Sequence, residues 1–418
     1  MPNVVPRRFT HPETFRKIRP ELLLSWLMPA REYLKKRGVQ LPGADDWGQP
    51  SLPESGVRTR LRSEAMAGQG VDALPRIDYD GLVRVFMEPT PEMPPQLVDG
   101  LYLVREMGRA RHLDRMVEEA RANGLDLAVN ENDTPADVAL KLLMLDQRLL
   151  ENLHNCHEVT RPRGFQYFVT DATPVPRFEA PTLEQVRALE ERLNAFYVAW
   201  HGGAGTRVFA YCHQRTWHEA PEWLFLVRHG APFRREEAME NGEPTSVVYR
   251  PRKCAVLKYD TLRGEMGVYC SAAREQRVLL RLFGRFLFGR PDFFPGGDKF
   301  NLGPLVKLGR ASLAFEDVPG IEDVRLTEVE FFQRREPWRR TVQQAGDIFT
   351  LIEREEIRWP TKLEEITKAT FTVKLWGQKR ARRMTIVPCN RALYSRDEES
   401  WILEKWMEAR GLVYPARN

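Results

Sequence analysis

From about residue 164 onward the chain sets one strand-like run after another, with few helices between them. No other feature restricts its fold as much. Phe165 to Val169, Arg207 to Cys212, Trp223 to Val227, Val247 to Tyr249, Cys254 to Tyr259 and Gly267 to Cys270 alternate with turns rich in Gly and Pro. Two helical stretches, about 182–200 and 272–288, interrupt them, and runs at Val324 to Phe332 and Ile348 to Glu353 follow. Consecutive strands without crossover helices do not fit the regular βαβ layout of a parallel sheet. They predict an α+β fold with a central antiparallel or mixed sheet and a few helices.

The flanking segments read differently. From about 95 to 157 the pattern is helical. Thr134 and Pro135 make a start signal, with Asp137 in the first turn. Val138, Leu142, Leu145, Leu149 and Leu153 then form one apolar stripe.

Residues 1–60 hold eight prolines, from Pro2 to Pro53. That density predicts an extended arm with a single amphipathic piece at Glu21 to Lys36. The arm is basic near its tip (Arg7, Arg8, Arg16, Lys17 and Arg19) and suited to tying the protein into an assembly.

At the other end, Thr370 to Trp376 and Arg383 to Val387 read as two strands, joined through Gly377 to Arg380. Ser395 and Glu398 read as a capping box for a helix that ends before Gly411. The expected organisation is therefore an arm (1–60), a mainly helical region (61–160), a central α+β domain (161–355) and a small C-terminal ββα unit (356–418).

With 418 residues, 42% hydrophobic and 29% charged, the chain is globular in composition. No stretch approaches the roughly 18 to 20 apolar residues of a membrane span. The N-terminus lacks the apolar segment of a secretory signal. A cytoplasmic protein without membrane contact is expected. The five cysteines are widely spaced and form no CxxC pair, so reduced thiols are expected rather than a disulfide framework.

The nearest thing to a catalytic signature is Leu224 to Pro232, an apolar run that delivers Arg228, His229 and Gly230 into a turn. A strand ending in Arg-His-Gly resembles the opening motif of the histidine phosphatase and phosphoglycerate mutase superfamily. The resemblance implies a phosphate-ester hydrolase, with His229 as phosphoryl acceptor and Arg228 holding phosphate oxygens. That family also uses a second His later in its domain, whereas His229 is the last of eight here. An upstream residue such as His201 or His218 would have to serve instead. Two readings without catalysis stand beside this one. One is a pocket for a phosphorylated ligand at Arg228, Arg234 and Arg235. The other is a strand end at which Gly230 permits the turn.

His201 to Gly205 is similar to the glycine-rich oxyanion loop of lipases and esterases, but no Gly-x-Ser-x-Gly accompanies it. Its glycines also suit the end of the preceding helix. His154, Cys156 and His157, with Cys212, His213 and His218, are zinc-capable residue types without a structural-zinc spacing. Glu328 and Glu330 share one face of a strand and are candidates for a metal-dependent nuclease. Walker A, Gly-x-Gly-x-x-Gly and His-Glu-x-x-His patterns are absent. No metal or cofactor is expected.

The basic features cohere better. Arg274, Arg277, Arg281 and Arg285 recur at three- and four-residue steps opposite an apolar side of Leu279, Leu282, Phe283, Phe286 and Leu287. Residues 228–290 hold 13 Lys or Arg and 7 acids, 13 − 7 = +6, against +5 for the whole chain. The C-terminal hairpin adds Lys379, Arg380, Arg382 and Arg383 beside Trp376. The reading is a non-catalytic binding or regulatory protein that touches nucleic acid or an acidic partner through these surfaces.

Overall fold

A computed structural model describes residues 12–42, 77–90, 92–213, 221–240, 242–334, 336–360, 364–397 and 399–415. The chain divides into two compact units, Pro2–Cys156 and His157–Asn418.

In the first unit the regular elements among the described residues are all helices. The helices are α1 (Pro12–Arg16), α2 (Pro20–Leu27), α3 (Arg31–Lys36), α4 (Tyr79–Met87), α5 (Pro95–Met107), α6 (Ala110–Ala122), α7 (Pro135–Leu145) and the start of α8 (Gln147–Thr160). Proline opens α2, α5 and α7, where its missing N–H costs nothing and its fixed φ suits the first turn. Thr134 and Asp137 form a reciprocal capping box.

Residues 12–42 do not form the extended arm that the proline count predicts. Pro12 and Pro20 start helices rather than break them, and Phe15, Leu23, Leu27 and Leu34 are buried with Leu82, Phe86, Leu101 and Leu142. The buried Asp137 carboxylate also accepts from the Arg19 backbone N–H at 2.7 Å, and Thr134 Oγ1 donates to the Lys17 carbonyl at 2.8 Å. The basic tip at Arg7 and Arg8 lies outside the described residues.

The second unit is built on a ten-stranded sheet. Its elements in chain order are β1 (Gly164–Val169), α9 (Leu183–Ala199), β2 (Gly203–His213), β3 (Glu222–Gly230), β4 (Arg234–Glu240), β5 (Glu243–Tyr249), β6 (Arg252–Asp260), β7 (Glu265–Tyr269), α10 (Ala273–Phe288) and α11 (Gly303–Leu308). They continue with β8 (Ile321–Gln333), β9 (Arg339–Gln344), α12 (Ile348–Glu353), β10 (Glu364–Leu375), β11 (Arg382–Val387), β12 (Arg391–Leu393) and α13 (Ser400–Ala409). The strand order is β2-β3-β6-β7-β1-β12-β11-β10-β8-β9, and β4 and β5 pair separately. Every neighbouring pair in the large sheet is antiparallel.

The fold is thus α+β, as the consecutive strand runs predict. The C-terminal strands are not a separate sheet: β10 is flanked by β8 and β11, and β1 pairs with both β7 and β12.

Strand alternation divides the sheet into two cores. On one face Phe225, Val227, Leu257 and Val268 pack against Leu193 and Tyr197 of α9 and Leu279 and Phe283 of α10. On the other, Leu224, Leu226 and Val256 join a larger core with Leu326, Phe371 and Met384 under Leu403 and Trp406 of α13.

Two expected elements differ. Ile348 to Glu353 is the helix α12 rather than a strand, because Asp347 caps it by accepting from the Phe349 and Thr350 backbone N–H groups. The final helix begins at Ser400 without a side-chain cap, five residues beyond Ser395, and Glu398 lies outside the described residues. No helix among the described residues is long and apolar enough to cross a membrane.

Candidate functional site

The arginine row lies on α10. At about 100° per residue, the spacing of Arg274, Arg277, Arg281 and Arg285 confines the four to an arc of roughly 80°, stretched over about 16 Å of helix. Glu275, Leu279, Leu280 and Phe283 turn inward and are buried, while the four arginines are exposed. The helix ends at Gly289, whose φ of 72° is the left-handed cap that glycine adopts without strain.

Among the described residues no carboxylate forms an ion pair with any of these four guanidinium groups. Elsewhere on the surface, pairing is common. Arg310 reaches Asp347 and Glu353, Arg358 reaches Glu364, and Arg290, just beyond α10, reaches Asp171 at 3.0 Å.

Aromatic and apolar groups interleave with the row. The Arg274 guanidinium lies 5.8 Å from the Trp200 ring centroid and 6.0 Å from that of Phe196, and Arg285 lies 5.9 Å from that of Phe286. Arg277 and Arg281 border a shallow groove of about 430 Å³ with Phe168, Leu280 and Phe294 in its walls.

A buried polar cluster fixes the inner face of the same helix. Glu275, 1% exposed, accepts from Tyr197 Oη at 2.9 Å through Oε1, which also lies 3.2 Å from His229 Nε2. Its Oε2 accepts from the Ser271 backbone N–H at 3.1 Å and from Ser271 Oγ at 2.9 Å. The Tyr197 and His229 rings stack with centroids 3.7 Å apart. Burial alone would raise the Glu275 pKa, but hydrogen bonds from His229, Tyr197 and Ser271 outweigh it, and the net shift is downward. Burial first, and then the Glu275 carboxylate, drive the Tyr197 phenol well above its ordinary value.

His229 therefore anchors a helix in this structure. Its second ring nitrogen, Nδ1, faces the Gly230 carbonyl at 3.2 Å. Arg228 projects from the opposite face of β3, its guanidinium 4.9 Å from the Phe209 ring centroid. Burial, then the charge of Arg252, lowers the Arg228 pKa. Arg234 and Arg235 stand on β4 in the separate hairpin, where adjacent residues point to opposite sides. Arg228 and His229 thus leave β3 on opposite faces, and Arg234 and Arg235 leave β4 on opposite sides. The His201 carbonyl accepts from Arg250 at 2.9 Å where α9 ends, and His218 lies outside the described residues.

The C-terminal hairpin is divided. Arg382 is tied to Asp397 at 2.5 Å and to Glu399, and Arg383 to Glu328 at 2.8 Å. Lys379 and Arg380 remain exposed at the turn. Glu328 also pairs with Lys368, and Glu330 with Arg340, so both carboxylates face cations. No group of three or more His, Cys, Asp or Glu that could hold a metal ion exists among the described residues. Cys156 Sγ instead accepts from Arg115 Nη2 at 2.9 Å.

Nothing in the sequence shows that Glu275 and Tyr197 meet His229, or that Ser271 holds Glu275. The legible signal was Glu275 itself, a charged residue four positions before Leu279 on the apolar stripe. No protein-family model matches the chain, and no curated protein matches it significantly.

Proposed function

We propose that the protein is a non-catalytic binding protein that engages nucleic acid through the outward face of α10. The observation that carries this reading is the row Arg274, Arg277, Arg281 and Arg285, four exposed guanidinium groups without carboxylate partners among the described residues. Guanidinium groups bind phosphate oxygens in bidentate fashion, and a rigid helix holds their spacing without ordering a loop. Trp200, Phe196 and Phe168 beside the row supply flat surfaces that suit bases or sugars. Lys379 and Arg380 at the β10–β11 turn are a secondary contact in the same reading. A cytoplasmic setting belongs to it as well, since all five cysteines are free and reducing compartments keep thiols so.

Fluorescence anisotropy with labelled DNA and RNA oligonucleotides tests the proposal, with polyglutamate as a competing acidic chain. Nucleic acid should bind at low salt. Replacing all four arginines by Gln should weaken binding at least about a hundredfold, since each lost phosphate contact removes a share of the electrostatic affinity. Equal binding by the quadruple variant contradicts the proposal. Binding of polyglutamate alone would assign the face to an acidic protein instead.

A further inference from the structure

The face of the sheet turned away from α9 and α10 carries a second feature, unrelated to the arginine row. Glu222 on β3, Lys258 on β6, Glu265 on β7 and Tyr167 on β1 are all buried, on four strands that are neighbours in the sheet. Their alternation partners Leu224, Leu226, Val256 and Phe165 belong to the apolar core. At this end of the strands the core gives way to charge.

Lys258 Nζ lies 2.5 Å from Glu222 Oε1. Lys299, from the segment before α11, pairs with Glu265 and sets its ammonium 3.8 Å from the Tyr167 ring centroid. The Tyr167 hydroxyl accepts from Arg396 Nη2 at 2.7 Å, and the Tyr394 hydroxyl donates to Glu404 on α13 at 2.9 Å. Gly267 stands between Lys258 and Tyr167 in register. A Cβ there would come within 3.1 Å of the Tyr167 ring, so the glycine lets that ring lie across β7.

These groups enclose a cleft of about 150 Å³. A second hollow of about 400 Å³ shares Arg263, Glu265, Lys299 and Val413 with it.

Burying an ammonium–carboxylate pair costs several kcal/mol per ion before the attraction is counted, and an apolar pair of equal volume is often as stable. Two such pairs beside one cleft are hard to explain as packing, and they point to a ligand. The lining holds Lys258, Arg263, Lys299 and Lys405 against Glu222, Asp260, Glu265, Glu404 and Glu408, 4 − 5 = −1, so neither sign dominates. Each ammonium carries three donors and each carboxylate about four acceptor sites, so one group can serve several partners at once. The cleft is also smaller than the roughly 300–1,000 Å³ of sites for drug-sized molecules.

We propose that this cleft binds a small zwitterion of the amino-acid type. Its carboxylate meets Lys258 and Lys299, its ammonium meets Glu222 and Glu404, and its side chain points toward the second hollow.

The full-length protein is tested by thermal unfolding and titration calorimetry with the standard L-amino acids at about 10 mM. Each responsive amino acid is compared with its N-acetyl form and its amide, which remove one charge apiece. At least one free amino acid should raise Tm, and both blocked forms should bind at least tenfold more weakly. The double variant K258M/E222Q keeps side-chain volume and leaves no lone buried charge, so it should fold with an unchanged circular dichroism spectrum and lose the response. No response to any amino acid overturns the proposal, as does equal binding of a blocked form or undiminished binding by the folded double variant.

Discussion

Glu275 has a role out of proportion to its visibility in the sequence. It holds α10 to β3 through His229, to α9 through Tyr197, and to the β7–α10 connection through Ser271. Because its pKa is depressed in the folded state, it contributes stability that is present above the unfolded carboxylate value of about 4.3 and is lost as pH falls through the folded value. Acid titration of unfolding should show this loss in the wild type and a flatter acid limb in Glu275→Gln. At neutral pH that substitution should cost about 2 kcal/mol, typical of hydrogen bonds to a buried charge, measurable by urea denaturation. Arg228 and His229 teach a complementary lesson. They are adjacent in sequence, but strand alternation sends their side chains to opposite faces. An Arg-His pair can serve one pocket only where the strand has already turned, and His229 is still paired, with Lys253 of β6.

At the scale of elements, periodicity was informative and short apolar runs were not. The stripe on α10 was legible, and its inward residues are those that are buried. Phe283 is fully buried between α10 and the sheet, so Phe283→Ala should cost about 3–5 kcal/mol. Calorimetric unfolding would check this, and a loss below about 1 kcal/mol would mean that the α10 interface is not a packed core. Ile348 to Glu353 misled because six residues with β-branched members suit strand and helix alike. The deciding signal was Asp347, one residue earlier, acting as an N-cap. Asp347→Ala should destabilise by about 1 kcal/mol, and it would leave Arg310, which Asp347 holds at 3.1 Å, tied to Glu353 alone among its carboxylate partners. The prolines of residues 12–42 misled for a related reason. At the first turn of a helix proline is a start signal, and only position relative to the buried stripe separates that use from a break.

For the molecule as a whole, the sheet explains why local reading stopped where it did. Runs of alternating residues show that strands exist, but partners such as β1 with β12 depend on residues more than 200 positions apart. The C-terminal strands therefore read as a separate unit, although they are neighbours of β1 and β8. The candidate site was legible in part for the same reason. Charge spacing along one helix is local, whereas the lack of carboxylate partners for those charges among the described residues depends on every surrounding element. Arg382 and Arg383 looked equivalent to Arg277 and Arg281 in the sequence, yet distant acids claim them.

Arg274, Arg277, Arg281 and Arg285 have no carboxylate partner among the described residues, and the salt dependence of nucleic-acid binding counts such groups acting together. Four phosphate contacts along α10 should contribute about −3.6 to the slope of log K against log salt for duplex DNA, or about −2.8 for a single strand. The variant with all four arginines changed to Gln should lose that share and keep only the slope that Lys379 and Arg380 supply. A wild-type slope near zero, or a variant slope equal to that of the wild type, would contradict the assignment of α10 as the binding face.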